Sequence, residues 1–376
     1  MAETSRLKKT VLLVIKIGLA VGLLTWLVLS GKLHLDKIGA AIRDHPFWMI
    51  LAFAIYNSCI VLTAIRWRML LQAQDIHPSR ADCVRMNYIG LFFSTFLPGA
   101  TGGDFVKAYY VARDREKKAE AVTTVFLDRV FGLYCMIGYG TVAILFHFKH
   151  LWHYGGEAGP VGLTQAQFLV LLVIGAFLAA TAGLAVVLNP HCRRLVHWIL
   201  DRLPMGSAVL KRVYEAVYLY RSRPGVLIRF VGYSVAAHSL GATSVLCVGV
   251  ALGDRIATGG WSALNYLFLV PLGLVINGLP LTPAGLGAFE AALAWLFKTI
   301  GSAMGANVAA LGHIIFLLTN QVGLIFYLRG KREITAAAKA AAEDAEREGE
   351  QGADASQPIA APDVADDADQ APAEAI

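Results

Sequence analysis

Apolar residues run along this chain in long blocks separated by short basic segments. Blocks at about 11–30, 47–65, 121–147, 166–188, 226–252 and 303–328 each have the length, about 18 residues or more, that a helix needs to cross a bilayer. They predict six spanning helices. Two further apolar regions, about 86–111 and 263–299, are broken. In the first, the arm Met86 to Leu97 precedes Pro98, Gly99, Gly102 and Gly103. As a helix that arm reaches about 18 Å, too short for the roughly 30 Å of hydrocarbon. The second runs to Gly278, breaks around Pro280 and Pro283, passes Gly285 and Gly287, and resumes to Ile300.

Basic residues decide between crossing and returning. If the N-terminus is cytoplasmic and both broken regions turn back, the cytoplasmic segments hold 22 Lys and Arg and the outer ones five, namely Lys32, Lys37, Arg43, Lys149 and Arg255. That asymmetry is a strong positive-inside signal. It also makes the two halves equal in element order and opposite in orientation, an inverted-topology repeat. The expected fold is an all-α polytopic membrane protein: six full spans plus two broken re-entrant helical hairpins in a 3+3 inverted repeat. The expected organisation is a membrane domain over 1–335, with repeats at about 11–148 and 166–330 and a basic linker at 190–225. An acidic tail follows over 336–376.

Composition agrees with the hydropathy. The 376 residues are 56% hydrophobic and 16% charged, and the mean hydropathy is +0.56, outside the range of ordinary soluble domains. Beyond Thr335 the chain carries eleven acids against Lys339 and Arg347, and such a segment is expected to be disordered. The preceding residues are therefore strongly basic. Those charges set topology or face anionic head groups, and nucleic acid is not an expected partner. Five scattered cysteines form no disulfide framework or thiolate metal site. The run from Val11 to Ser30 follows Arg6, Lys8 and Lys9. It is too long for a signal-peptide core and reads as a retained helix. The linker mixes Leu195, Trp198, Ile199, Val213 and Tyr214 with basic residues, which suits either an interfacial helix or a helical hairpin against the bundle.

Backbone broken within a bilayer needs protein or water to satisfy it, so both breaks imply polar cavities reached from opposite faces. Asp104 follows the first break and Glu290 the second. A helix cap or dipole compensation accounts for either acid, whereas membrane depth argues for function. Lys107 is spaced to pair with Asp104 on one helix face, and Lys298 is placed to snorkel. Asp128 and Arg129 lie inside the third span. Adjacent residues on a helix diverge by about 100°, so each is expected to meet a partner on another helix. Arg66 caps the second span or joins the same anion site. His313, Asn320 and Gln321 share a face of the last span, where interhelical hydrogen bonding competes with function. His238 reads as a core histidine, and His147, His150 and His153 as an interfacial anchor rather than a metal site. No metal or cofactor site and no catalytic signature emerges.

AIRWRMLL, LPGATGGD followed by Lys107, VFLDRVFGL and PLGLVINGLPLTPAGLGAFE together resemble the flippase-like membrane domain of lysylphosphatidylglycerol synthases. That domain also occurs as stand-alone bacterial and archaeal proteins. The resemblance covers about 10–330. It implies a lipid flippase-like transporter of the bacterial cytoplasmic membrane, with both termini cytoplasmic. The partners it implies are membrane lipids, anionic or polyprenyl-type. Asp104, Glu290, Lys107, Arg66, Asp128 and Arg129 would bind or gate the head group. The soluble transferase domain of the two-domain synthases has no counterpart after Arg332, so an enzyme is not expected. Two other classes stay open: a membrane enzyme or accessory subunit acting on polyprenyl-linked glycolipids, and a non-transporting scaffold.

Overall fold

The computed structural model describes residues 34–96, 102–112, 117–146, 148–153, 163–202, 207–259, 263–277 and 286–329, with scattered positions between 22 and 29. Most of the expected first span, the acidic tail, and Pro98, Gly99, Pro280, Pro283 and Gly285 lie outside the described residues. Among those described, every regular element is helical. In chain order they are α1 (Leu35–Asp44), α2 (Pro46–Ala73), α3 (Arg80–Phe96), α4 (Gly102–Ala112), α5 (Lys118–Phe146), α6 (Phe148–Trp152) and α7 (Gln165–Leu188). Then come α8 (Arg193–Asp201), α9 (Ser207–Leu219), α10 (Pro224–Ala251), α11 (Arg255–Thr258), α12 (Leu264–Asn277), α13 (Ala288–Lys298) and α14 (Gly305–Arg329).

Five of these, α2, α5, α7, α10 and α14, are long and apolar enough to cross a membrane. Their starts follow ordinary helix chemistry. Pro46 and Pro224 open α2 and α10, where a missing N–H costs nothing. Thr164 caps α7 and exchanges bonds with Gln167 in a capping box. The chain is thus an all-helical, polytopic, membrane-embedded protein.

The broken regions become helix pairs. At 1.5 Å per residue, the 17 residues of α3 reach about 25 Å and the 11 of α4 about 16 Å. The 14 of α12 and 11 of α13 are also shorter than the roughly 30 Å hydrocarbon core. The first arm begins at Arg80 rather than near Met86, because its initial turn is polar and invisible to hydropathy. Each pair folds back on itself. Lys107 reaches Asn87, and Gly103 lies against Gly90, where a Cβ would collide with the Gly90 carbonyl oxygen. Only glycine allows the two backbones to meet there.

The packing has a regularity. Among the eight helices α2, α3, α4, α5, α10, α12, α13 and α14, contacts join α2–α3, α3–α4, α4–α5, α2–α5, α3–α14 and α2–α14. They also join α10–α12, α12–α13, α13–α14, α10–α14, α12–α5 and α10–α5, and the central α2–α10 pair. Exchanging α2 with α10, α3 with α12, α4 with α13 and α5 with α14 leaves this set unchanged. One apolar core lies around Tyr266, Phe289, Phe297 and Phe316, and another around Trp67, Leu71 and Val125. The linker forms helices that pack on each other and on the bundle. Arg193 and His197 of α8 hold Glu215 of α9, and α9 packs on α5 and α7, while Leu195, Trp198 and Ile199 of α8 stay exposed.

Candidate functional site

Two acid–base clusters are built where the helix pairs meet the long helices. In the first, Arg66 of α2 faces Asp128 of α5, with its Nε 3.1 Å and its Nη2 3.0 Å from the same oxygen, Oδ1. Its Nη1 donates to Ser234 Oγ of α10 at 3.0 Å, and the guanidinium lies 4.6 Å from the Phe230 ring centre. All three nitrogens of Arg66 are therefore engaged. Gly132 sits alongside, where a Cβ would come within 3.0 Å of Nη2.

Asp128 shares its other oxygen with Lys107 of α4, 3.7 Å away. The Lys107 ammonium also donates to Asn87 Oδ1 at 3.2 Å and stands 4.0 Å over the Trp67 ring. Trp67 is held in turn by Nε1 donating to Thr124 at 3.1 Å, and Asn87 by donating to Ile60 and Thr63. Arg66, Lys107 and Asp128 are all buried. Two cations thus bear on one carboxylate, in a setting where an uncompensated charge is costly.

Asp104 and Arg129 are one step removed. Arg129 follows Asp128 on α5 but points to α4, where its Nε donates to Asp104 Oδ2. Their side chains are 24% and 47% exposed, against 11% for Asp128. The five charged groups together carry one positive charge in excess, and the accessible pair lies at the edge of the buried one.

The second cluster is compact. Glu290, third residue of α13, accepts the Gly287 N–H with Oε2 at 2.7 Å, a helix-start bond made possible by Gly287 at φ 81°. Its Oε1 lies 2.7 Å from His313 Nδ1 of α14. Phe289 and Phe316 enclose the imidazole edge-on. Both side chains are almost fully buried, yet they line a cavity of about 460 Å³ whose other described walls are apolar except for Thr25.

The remaining sequence candidates disperse. Lys107 pairs with Asp128 instead of the Asp104 suggested by its spacing, because its side chain turns inward between α2 and α5. His313 and Asn320 serve different partners: Asn320 donates to Thr95 of α3 at 3.1 Å, whereas Gln321 donates to the Leu317 carbonyl of its own helix. Lys298 is exposed at the end of α13. Gly102 begins α4. His238 packs against Tyr139 and shares a hydrogen bond with the Gly132 backbone, whereas its Nε2 has no partner, so the expected core histidine is satisfied on one side only. Asn87, Trp67 and Ser234 were not legible as site residues; an Asn within a short, otherwise apolar arm was the one available signal. Asp254, also unforeseen, is a structural clasp, accepting from Tyr266 Oη at 2.5 Å and Ser302 Oγ at 3.2 Å.

Residues 13–326 match the family model described as lysylphosphatidylglycerol synthase TM region. Curated relatives include a UPF0104 membrane protein of Methanothermobacter thermautotrophicus, 23% identical over 80% of this chain and 88% of its own length. Another is a UPF0104 membrane protein of Pyrococcus horikoshii, 22% identical over 87% of this chain and 98% of its own.

Proposed function

The chain belongs to the lysylphosphatidylglycerol synthase TM region family, and we propose that it moves an amphiphilic lipid between the leaflets of the bacterial cytoplasmic membrane. The observation that carries this reading is the accessible Asp104–Arg129 pair seated beside the buried Arg66–Asp128–Lys107 group. Ionisable residues at such depth are costly and persist where they serve a path for charge. Arg66 is buried and directs all three of its nitrogens to Asp128 and Ser234, so its role is to hold Asp128 and, through it, Lys107. Arg129 is held by a carboxylate that a lipid phosphate can replace, since a guanidinium matches either anion.

In this reading both termini are cytoplasmic and the two helix pairs re-enter from opposite faces. The cytoplasmic pair then presents Arg129 to the head group, and Asp104 closes the site when no lipid is there. Glu290 is the corresponding acid on the outer side. The ligand is a phosphate-bearing membrane lipid, a phospholipid or a polyprenyl-linked one, and the chain transports it without transforming it.

The test is reconstitution of the full chain in vesicles with a fluorescent phosphatidylglycerol, scoring the fraction reachable by a membrane-impermeant quencher. Asp104→Asn and Arg129→Gln are expected to slow translocation at least about tenfold while the thermal unfolding midpoint stays near that of the parent. Wild-type rates in both variants would overturn the assignment.

A further inference from the structure

The two helix pairs carry the same device with different bases. Asp104 is the third residue of α4 and binds Arg129 of the helix that follows, α5. Glu290 is the third residue of α13 and binds His313 of the helix that follows, α14. Both acids sit at equivalent points of the packing exchange that relates α4 to α13 and α5 to α14. In the first pair the base is an arginine, whose charge is permanent. In the second it is a histidine, which alone among side chains ordinarily changes charge between about pH 5 and 8.

We propose that Glu290 and His313 form a proton-binding site that sets the state of the outer half of the transporter, a proposal that rests on the reading of the chain as a lipid translocator. With one proton on the imidazole beyond its neutral form, the pair is an imidazolium and a carboxylate with no net charge. When that proton leaves to water, a carboxylate with almost no exposure keeps only the Gly287 N–H and a neutral imidazole. An uncompensated charge there draws in water or a cationic group. The cavity of about 460 Å³ beside it, flanked by Leu29, Leu35 and Leu317, provides the space. The protonated pair therefore belongs to the closed form and the deprotonated pair to the open one.

Among the described residues, the elements packed against the pair carry these titratable groups. From α2, Tyr56 stacks on Phe316 with ring centres 4.4 Å apart, and Cys59 lies one turn along α2. From α10, Cys247 packs in the cluster that holds Leu311 and Ile315. On α12, Tyr266 is bonded to Asp254, and on α3, Tyr88 packs on Phe326 and donates to Asn57. Beside α1, His34 donates its backbone N–H to Asn307 of α14, while Asp36 and Lys37 are exposed. The carboxylate of Asp254 is committed to Tyr266 and Ser302, and Lys298 faces outward at the far end of α13. Tyrosine and cysteine thiol groups ordinarily stay neutral over the range in which histidine titrates.

The experiment compares the full chain with His313→Gln, whose amide still donates to Glu290 without titrating, and with His313→Arg, which copies the cytoplasmic pair. In vesicles with the fluorescent phosphatidylglycerol, the parent is expected to translocate about fivefold faster at an outer pH of about 7.5 than at about 5.5. In both variants the ratio should fall to about one. Hydrogen exchange of the purified full chain, corrected for intrinsic rates, supplies a readout independent of lipid movement. Segments 286–298 and 305–317 should exchange faster at the higher pH in the parent and equally at both in the variants. A parental pH response that survives in both variants, or its absence from both measurements in the parent, overturns the proposal. If exchange responds as stated while no lipid moves at either pH, the proton site stands and the translocator reading fails.

Discussion

Arg66 and Asp128, 62 positions apart in the chain, meet with the guanidinium Nη2 3.0 Å from Oδ1, and this contact ties α2 to α5 beneath the α3–α4 pair. Removing either partner leaves the other charge buried. Asp128→Asn should be the worse change, because it strands Lys107 as well. A loss of about 3–5 kcal/mol is expected, read as a lowered unfolding midpoint in detergent. Replacing Arg66 by Met and Asp128 by Leu together should recover part of the loss from Asp128→Asn alone.

Trp67 supports Lys107 with its ring and binds Thr124 with its indole N–H. Trp67→Phe keeps an aromatic face under the ammonium and loses the hydrogen bond, so a cost of about 1 kcal/mol from that bond is expected. Trp67→Ala removes both and opens a void where the parent side chain is fully buried. That variant should lose about 3–5 kcal/mol. Equilibrium unfolding in mixed micelles separates the two.

At Gly103 any side chain collides with the Gly90 backbone. Gly103→Ala should therefore force the α3–α4 pair apart, at a cost of about 1–3 kcal/mol. Gly175 in α7 is a control, since a Cβ there would meet nothing within 4 Å; Gly175→Ala should be neutral or stabilising by up to about 1 kcal/mol. Thermal scans of both variants check the contrast.

Asp254 ties the start of α11 to α12 and to the turn before α14 through Ile256, Tyr266 and Ser302. Asp254→Ala leaves two buried hydroxyls short of an acceptor, each costing about 1–3 kcal/mol. Faster hydrogen exchange in 251–259 and 299–305, with 80–96 unchanged, is the expected signature.

Much of the architecture was legible along the chain because a bilayer-spanning helix declares itself by length and hydropathy. The spans expected at 121–147 and 226–252 correspond to Lys118–Phe146 and Pro224–Ala251. The broken regions were equally visible, since prolines and glycines clustered together interrupt the helix ladder, whereas the lone Pro271 is accommodated inside α12. Pairing was less legible. The three-residue spacing of Asp104 and Lys107 pointed to a bond along one helix, yet each acts across helices, Asp104 with Arg129 and Lys107 with Asp128. Ser234 of α10 completes the shell of Arg66, and nothing in its local sequence marks it.

Hydropathy, the placement of basic residues and the proline and glycine breaks by themselves determined that this is a helical membrane protein with two interrupted segments, each followed by an acid. These are properties of short stretches, set by helix length and the cost of bare backbone in lipid. Which base each acid receives was decided only by tertiary structure. That Glu290 meets a titratable His313 while Asp104 meets a permanently charged Arg129 depends on how α13 lies on α14 and α4 on α5. Such contacts join residues 23 and 25 positions apart, and only the packing of whole helices brings them within a hydrogen bond.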